Sequence, residues 1–152
     1  MEWLVKNILP GAVIAIATAW VTVQLSLKQF RTERWWERKI EAYSDLLGHL
    51  HDAKSFAEEN MEADYRNKEL TEDEQNVLRA KSRKADEEIY RAMDVGAFYL
   101  SETAINRLKK FKKDASKATN TTSWTEYLIN DYSAADNCLK DMIEIAKNDL
   151  KV

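Results

Sequence analysis

Residues 8–27 read ILPGAVIAIATAWVTVQLSL with no ionisable side chain, and residues 28–39, KQFRTERWWERK, come at once after them with basic and aromatic ones. About 20 residues at about 1.5 Å rise make a helix of roughly 30 Å, the thickness of a bilayer's hydrocarbon core. The stretch therefore predicts a single transmembrane helix. Lys28, Arg31, Arg34, Arg38 and Lys39 come after it, opposed by Glu33 and Glu37, whereas Lys6 and the terminal amine precede it. Excess Lys and Arg is retained on the cytoplasmic side, so the N-terminus is expected outside and the rest of the chain inside. Trp3 at one end, and Lys28, Arg31, Arg34, Trp35 and Trp36 at the other, are expected to anchor the helix in the two headgroup zones.

Two other readings of the run compete with this one. Ala15-Ile-Ala17 and Ala17-Thr-Ala19 resemble signal-peptide cleavage sites. One Lys before the run, apolar residues continuing to Leu27 and a basic cluster beyond it all count against export. A core helix of a globular domain would show a polar face, which this run lacks. Within the run, Gly11, Ala15, Thr18, Ala19, Thr22 and Ser26 share one helical face. Small residues let two helix backbones approach and hydroxyls bond across the contact, so this face is the expected homo-oligomer interface.

Composition bounds the part of the chain beyond the anchor. With residues 1–28 taken as the anchor, residues 29–152 are enough for one cytosolic domain. Three Gly, one Pro and 32% charged residues indicate an all-α fold, since turn-rich β architectures use more breakers. A net charge of −3 supplies no global attraction to nucleic acid or anionic lipid, so any such attraction must be local. Cys138 is the only cysteine, which rules out an intrachain disulfide and multi-thiolate zinc sites.

Helical periodicity divides the domain into four segments. Trp36, Ile40, Tyr43, Leu47, Leu50, Ala57 and Met61 recur in steps of three and four as one stripe, with a gap at Lys54. Residues 60–74 are acidic and expected to contain the turn. Thr71 with Glu74 reads as a capping box opening a helix that carries Leu78, Ala85, Ile89 and Ala92 or Met93. Ser101 reads as the N-cap of a third helix bearing Ile105, Leu108, Phe111 or Lys112, and Ala115. Ser123 with Glu126 reads as a second capping box, before a stripe of Leu128, Tyr132, Ala135, Leu139, Met142, Ile143, Ala146 and Leu150. An antiparallel cytosolic bundle of about four helices is expected.

Chemistry-bearing patterns are few. Glu41, Asp45, His49 and Asp52 form a column able in principle to hold a divalent metal, but no second ligand helix accompanies it, and a solvated face is the expectation. Nucleophile elbows, zinc-protease motifs and phosphate-binding glycine loops are absent, so neither enzyme activity nor a cofactor is expected. Arg107, Lys109, Lys110, Lys112, Lys113 and Lys117 crowd the third helix with positive charge. Clustered cations concentrate anions, so these residues are candidates for a phosphate ligand, such as a nucleotide signal. The alternative is that they pair with the acidic residues between Glu58 and Glu74.

The strings WWERKIEAYSDLLGHLHD, VGAFYLSETAINRL and CLKDMIEIAKNDL cover much of the chain. They resemble small bacterial single-span membrane proteins with a W-E-R-K-x-E-A-Y juxtamembrane helix and a helical cytosolic domain. The resemblance implies a bacterial inner-membrane protein and carries over no functional residues. The layout is also similar to membrane effectors of bacterial antiviral (phage) defence, in which a cytosolic domain senses a signal and the spans oligomerise. The expectation is a membrane-anchored, self-associating sensor of a nucleotide or protein partner, with a passive scaffold or accessory subunit of a larger membrane complex as the alternative.

Overall fold

The computed structural model describes residues 2–151, with side chains from Thr18 onward. Residues 8–17 of the expected span, with Gly11 and Ala15, therefore lie outside the described side chains, as does Trp3. Among the described residues no helix is long and apolar enough to cross a membrane. Four α-helices occur in order among the described residues: α1 (Glu2–Tyr65), α2 (Glu72–Asp94), α3 (Glu102–Ala118) and α4 (Trp124–Leu150), with a short 3-10 turn at Gly96–Phe98 between α2 and α3. The fold is all-α. The chain divides into two compact units, Met1–Arg38 and Lys39–Val152.

In the first unit the described apolar side chains have no core to enter. Trp20, Val21, Val23, Leu25, Leu27 and Phe30 are all exposed, Trp20 by 64%. Thr22 spends its hydroxyl locally, donating to the Thr18 carbonyl at 2.9 Å, as hydroxyl residues in helices commonly do. Arg34 bonds Glu37 at 3.4 Å and lies 5.4 Å from the Phe30 ring centre.

The second unit is a four-helix bundle. α1 runs antiparallel to α4, because Tyr43 meets Asp149 while Lys54 meets Asp136. It also runs antiparallel to α2, because Asp52 meets Lys81 while Asn60 meets Gln75. α3 and α4 are antiparallel in turn, with Arg107 on Asp141 and Ala118 level with Asn130. The main core gathers Tyr43, Leu46 and Leu50 from α1, Ile89 from α2, Leu108 from α3, and Cys138 and Met142 from α4. A second cluster of Phe56, Ala57, Leu78 and Leu128 closes the far end, where Trp124 meets Phe56 edge to face and stacks on Tyr127.

The buried face of α1 departs from the expected stripe. Leu46, Ala53 and Phe56 are in the core, whereas Ile40 is 50% exposed and Leu47 only half-buried. The apolar arc of this helix is wider than the seam its neighbours cover, and periodicity alone could not choose the buried edge. α1 also runs further into the acidic segment than expected. Asn60 is buried inside the helix, donating to the Phe56 carbonyl at 2.8 Å and accepting from Gln75 Nε2 at 2.9 Å. The helix stops at a Schellman motif: Lys68 N bonds Ala63 O, Asn67 N bonds Asp64 O, and Asn67 takes φ 51°.

The caps differ in outcome. Thr71 and Glu74 form the full capping box, and hydrogen bonding from the Thr71 backbone and hydroxyl and from Lys68 holds the Glu74 carboxyl below its usual range. Ser101 caps α3 through Ala104 N at 3.2 Å. Ser123 takes the extended backbone of an N-cap, but its side chain makes no cap bond, so the second box does not form.

Candidate functional site

α3 distributes its cations over different surroundings. Lys112 lies 4.7 Å from the Tyr90 ring centre on the α2 side. Lys109 and Lys113 are exposed. Arg107, Lys110 and Lys117, one and two helical turns apart, face α4 and line a groove of about 450 Å³ together with Asp114, Asn130, Ser133, Asn137 and Asp141. Beyond Arg107 the groove continues past Thr103, Asn106, Glu144 and Ile145. Three of the six predicted cations are thus brought together.

Pairing with the acidic segment is not what occupies them. Glu58 pairs with Lys54 at 3.9 Å, Glu62 with Arg66, and Glu74 with Lys68 at 3.2 Å, all within or beside α1 and the turn. On α3, Lys117 pairs with Asp114 at 3.0 Å and Arg107 Nε with Asp141 Oδ2 at 2.6 Å. Among the described residues no ion pair joins the two regions.

Arg107 is the unusual member. Its side chain is only 10% exposed, whereas that of its partner Asp141 is 58% exposed. Its Nη1 is buried and makes no hydrogen bond. A guanidinium carries five donors in a rigid fork, and a buried cation left with unused donors bears a desolvation cost. Among the described residues one open carboxylate is its only ion-pair partner. The opposite wall holds the neutral donors and acceptors Asn130, Ser133 and Asn137, of which Asn137 donates to Ser133 Oγ at 3.2 Å.

Two other polar sites flank α4. Lys54 and Asp136 meet at 3.4 Å with side chains 16% and 15% exposed; Asp136 also accepts from Lys140, and Lys54 lies 5.4 Å from the Tyr132 ring centre. Hydrogen bonding to Lys140, then to Lys54, holds the Asp136 carboxyl below its usual range. Asp131 is pushed up to about 6 by burial and by the nearby Asp86 carboxylate, and burial raises Asp86 as well. Cys138, fully buried beneath the α3–α4 seam, has its thiol pushed up to about 11 by burial, which makes it a poor nucleophile.

A hydroxyl ties three helices at the end of the bundle where residue 39 lies. Tyr43 Oη donates to Asp149 and accepts from Ser101 N at 3.3 Å, while Lys39 Nζ donates to the Asp149 carbonyl at 3.1 Å. Burial would raise the Asp149 carboxyl, but the Ser101 and Tyr43 hydroxyls and Lys39 outweigh it and lower it overall. Burial and this hydrogen bond raise the Tyr43 phenol.

The remaining predicted residues fall elsewhere. Thr18, Ala19, Thr22, Ser26, Lys28, Arg31, Arg34 and Trp35 are exposed in the first unit, and Trp36 is half-buried. In the Glu41, Asp45, His49, Asp52 column, Asp52 is paired with Lys81 at 3.1 Å, and among the described residues no three metal-ligating side chains converge. Sequence reasoning missed the α4 wall, because Asn130, Ser133, Asn137 and Asp141 are ordinary polar helix residues. Their steps of three and four along α4 were the available signal. No described protein family, curated protein or solved structure matches this chain.

Proposed function

We propose that this chain is a non-enzymatic, membrane-anchored helical module that self-associates through its N-terminal helix and senses an anionic ligand with its cytoplasmic bundle. The observation that carries the anchor is the exposure of Trp20, Val21, Val23, Leu25, Leu27 and Phe30 on one helix. In water such surface is unfavourable by about 25 cal/mol per Å², and a bilayer removes that cost. All but Phe30 belong to the uncharged run that begins at Ile8, and Lys28, Arg31 and Arg34 lie at its C-terminal end, which supports a cytoplasmic bundle.

Gly11, Ala15, Thr18, Ala19, Thr22 and Ser26 are the interface in this reading, and the bacterial inner membrane is the setting. The sensing role is supported by the α3–α4 groove, whose buried arginine is incompletely paired. An effector of antiviral defence that answers a nucleotide signal fits this layout by analogy. Exposed Val95 and Phe98, the latter 79% accessible, favour a second reading as a scaffold that docks a protein partner.

Crosslinking in native membranes tests the assembly. Wild type is expected to give oligomer bands, and Gly11→Leu with Ala15→Leu to lose them. Unchanged bands in that variant, or recovery of the protein in the soluble fraction, would contradict the reading.

A further inference from the structure

We propose that the α3–α4 groove binds a phosphate monoester by exchange: the phosphate takes the place of the Asp141 carboxylate on Arg107, and Lys110 supplies a second cation. The inference rests on α3 as the ligand-facing helix and is independent of the membrane anchor.

Arg107 and Asp141 are unequal partners. The Arg107 side chain is nine-tenths buried, while the carboxylate is largely in solvent and reaches Nε through Oδ2 alone. Its removal therefore disturbs little of the fold. What remains is a buried cation whose Nε has lost its acceptor and whose Nη1, on the opposite edge of the planar group, has none. A phosphate monoester presents three strong acceptor oxygens and more charge than a carboxylate. Its oxygens accept strong charge-assisted hydrogen bonds from a guanidinium, so one of them can take over the Nε donor that Asp141 now occupies.

Lys110, one turn along the same face, lines the groove and has no ion pair among the described residues. Lys117 is engaged by Asp114 at 3.0 Å and frames the far end. Across from them Asn130, Ser133 and Asn137 offer amide and hydroxyl groups to the body of the ligand. A polar wall selects a hydroxyl- or amide-bearing body, as in a nucleoside, over an acyl chain. A volume of about 450 Å³ lies within the range of small-molecule sites.

The test is calorimetric titration of the full chain in neutral detergent with inorganic phosphate and adenosine monophosphate, and of the reconstituted chain with vesicles of phosphatidylcholine and phosphatidic acid. Asp141→Asn removes the competing charge and should tighten binding by roughly threefold or more, whereas Lys110→Glu should weaken it by roughly tenfold or more. Lys109→Glu, exposed and outside the groove, should change it by less than about threefold. Binding of the soluble probes assigns a free phosphate ligand and binding of the vesicles alone assigns a lipid headgroup; either pattern with these variant effects supports the exchange. Silence with all three probes overturns it. So does Asp141→Asn that binds no tighter than wild type, or Lys109→Glu that loses as much as Lys110→Glu. Because binding is read without reference to topology, its failure leaves the membrane reading standing, and failure of the crosslinking test leaves this one.

Discussion

Asp136 and Asp141 sit on the same helix, and each meets a cation from a neighbouring helix, yet the two pairs are completed to different degrees. At the α1–α4 seam both side chains are largely buried, the carboxylate takes a second lysine, and the ammonium lies near an aromatic face. At the α3–α4 seam the cation is buried but its carboxylate is open, and one guanidinium nitrogen has no partner. The first arrangement uses its charge to join helices. The second holds charge in reserve, which is what a ligand site requires and what a purely structural ion pair does not.

The largest expected effect separates the two seams by stability. Asp136→Ala leaves the largely buried Lys54 with only its long Glu58 pair at 3.9 Å and should cost about 1–3 kcal/mol, whereas Asp141→Ala, at an exposed carboxylate, should cost about 0–1 kcal/mol. Thermal unfolding of the full chain in detergent measures both. Equal losses would remove the distinction on which the ligand site depends.

A third carboxylate of α4 sharpens the comparison in the opposite direction. Asp131 makes no ion pair among the described residues and sits near Asp86, with its carboxyl pushed up to about 6. A group raised in the folded state contributes stability that is fully present below its unfolded range near pH 4 and lost as the pH rises through about 6. Asp131→Asn should therefore stabilise the bundle by about 1–2 kcal/mol at pH 7 and by almost nothing at pH 4. Asp136, lowered by its lysines, behaves with the opposite sign: its contribution is present above the ordinary carboxylate range and fades as the pH falls below it. Melting curves at pH 4, 5.5 and 7 for wild type and the two variants read this out. Stabilisation by Asp131→Asn that does not change with pH would mean that packing, not charge, is responsible.

What was legible in the sequence was mostly local. The Thr71–Glu74 box and the Ser101 cap depend on residues three apart and appear as expected. Phe111, not Lys112, takes the core position on α3, because the helix face that buries Leu108 carries Phe111 inward and leaves Lys112 to the Tyr90 ring. The end of α1 was not legible, since its Schellman stop uses Asn67 in place of the glycine that usually marks one. Ile40 and Leu46 exchanged roles because both lie on an apolar arc broader than the seam. The groove was half legible: clustering on α3 pointed to Arg107, Lys110 and Lys117, but only the pairing of α3 with α4 separates them from Lys109 and Lys113 and supplies Asn130, Ser133 and Asn137.

The most direct measurement is amide chemical-shift mapping of the isotope-labelled full chain in detergent during titration with adenosine monophosphate. A phosphate site in the α3–α4 groove predicts shifts confined to residues 107–118 of α3 and 130–141 of α4, largest at Arg107, Lys110 and Asp141. Shifts centred outside these two segments, or none with adenosine monophosphate and none with phosphatidic acid added to the detergent, would contradict it.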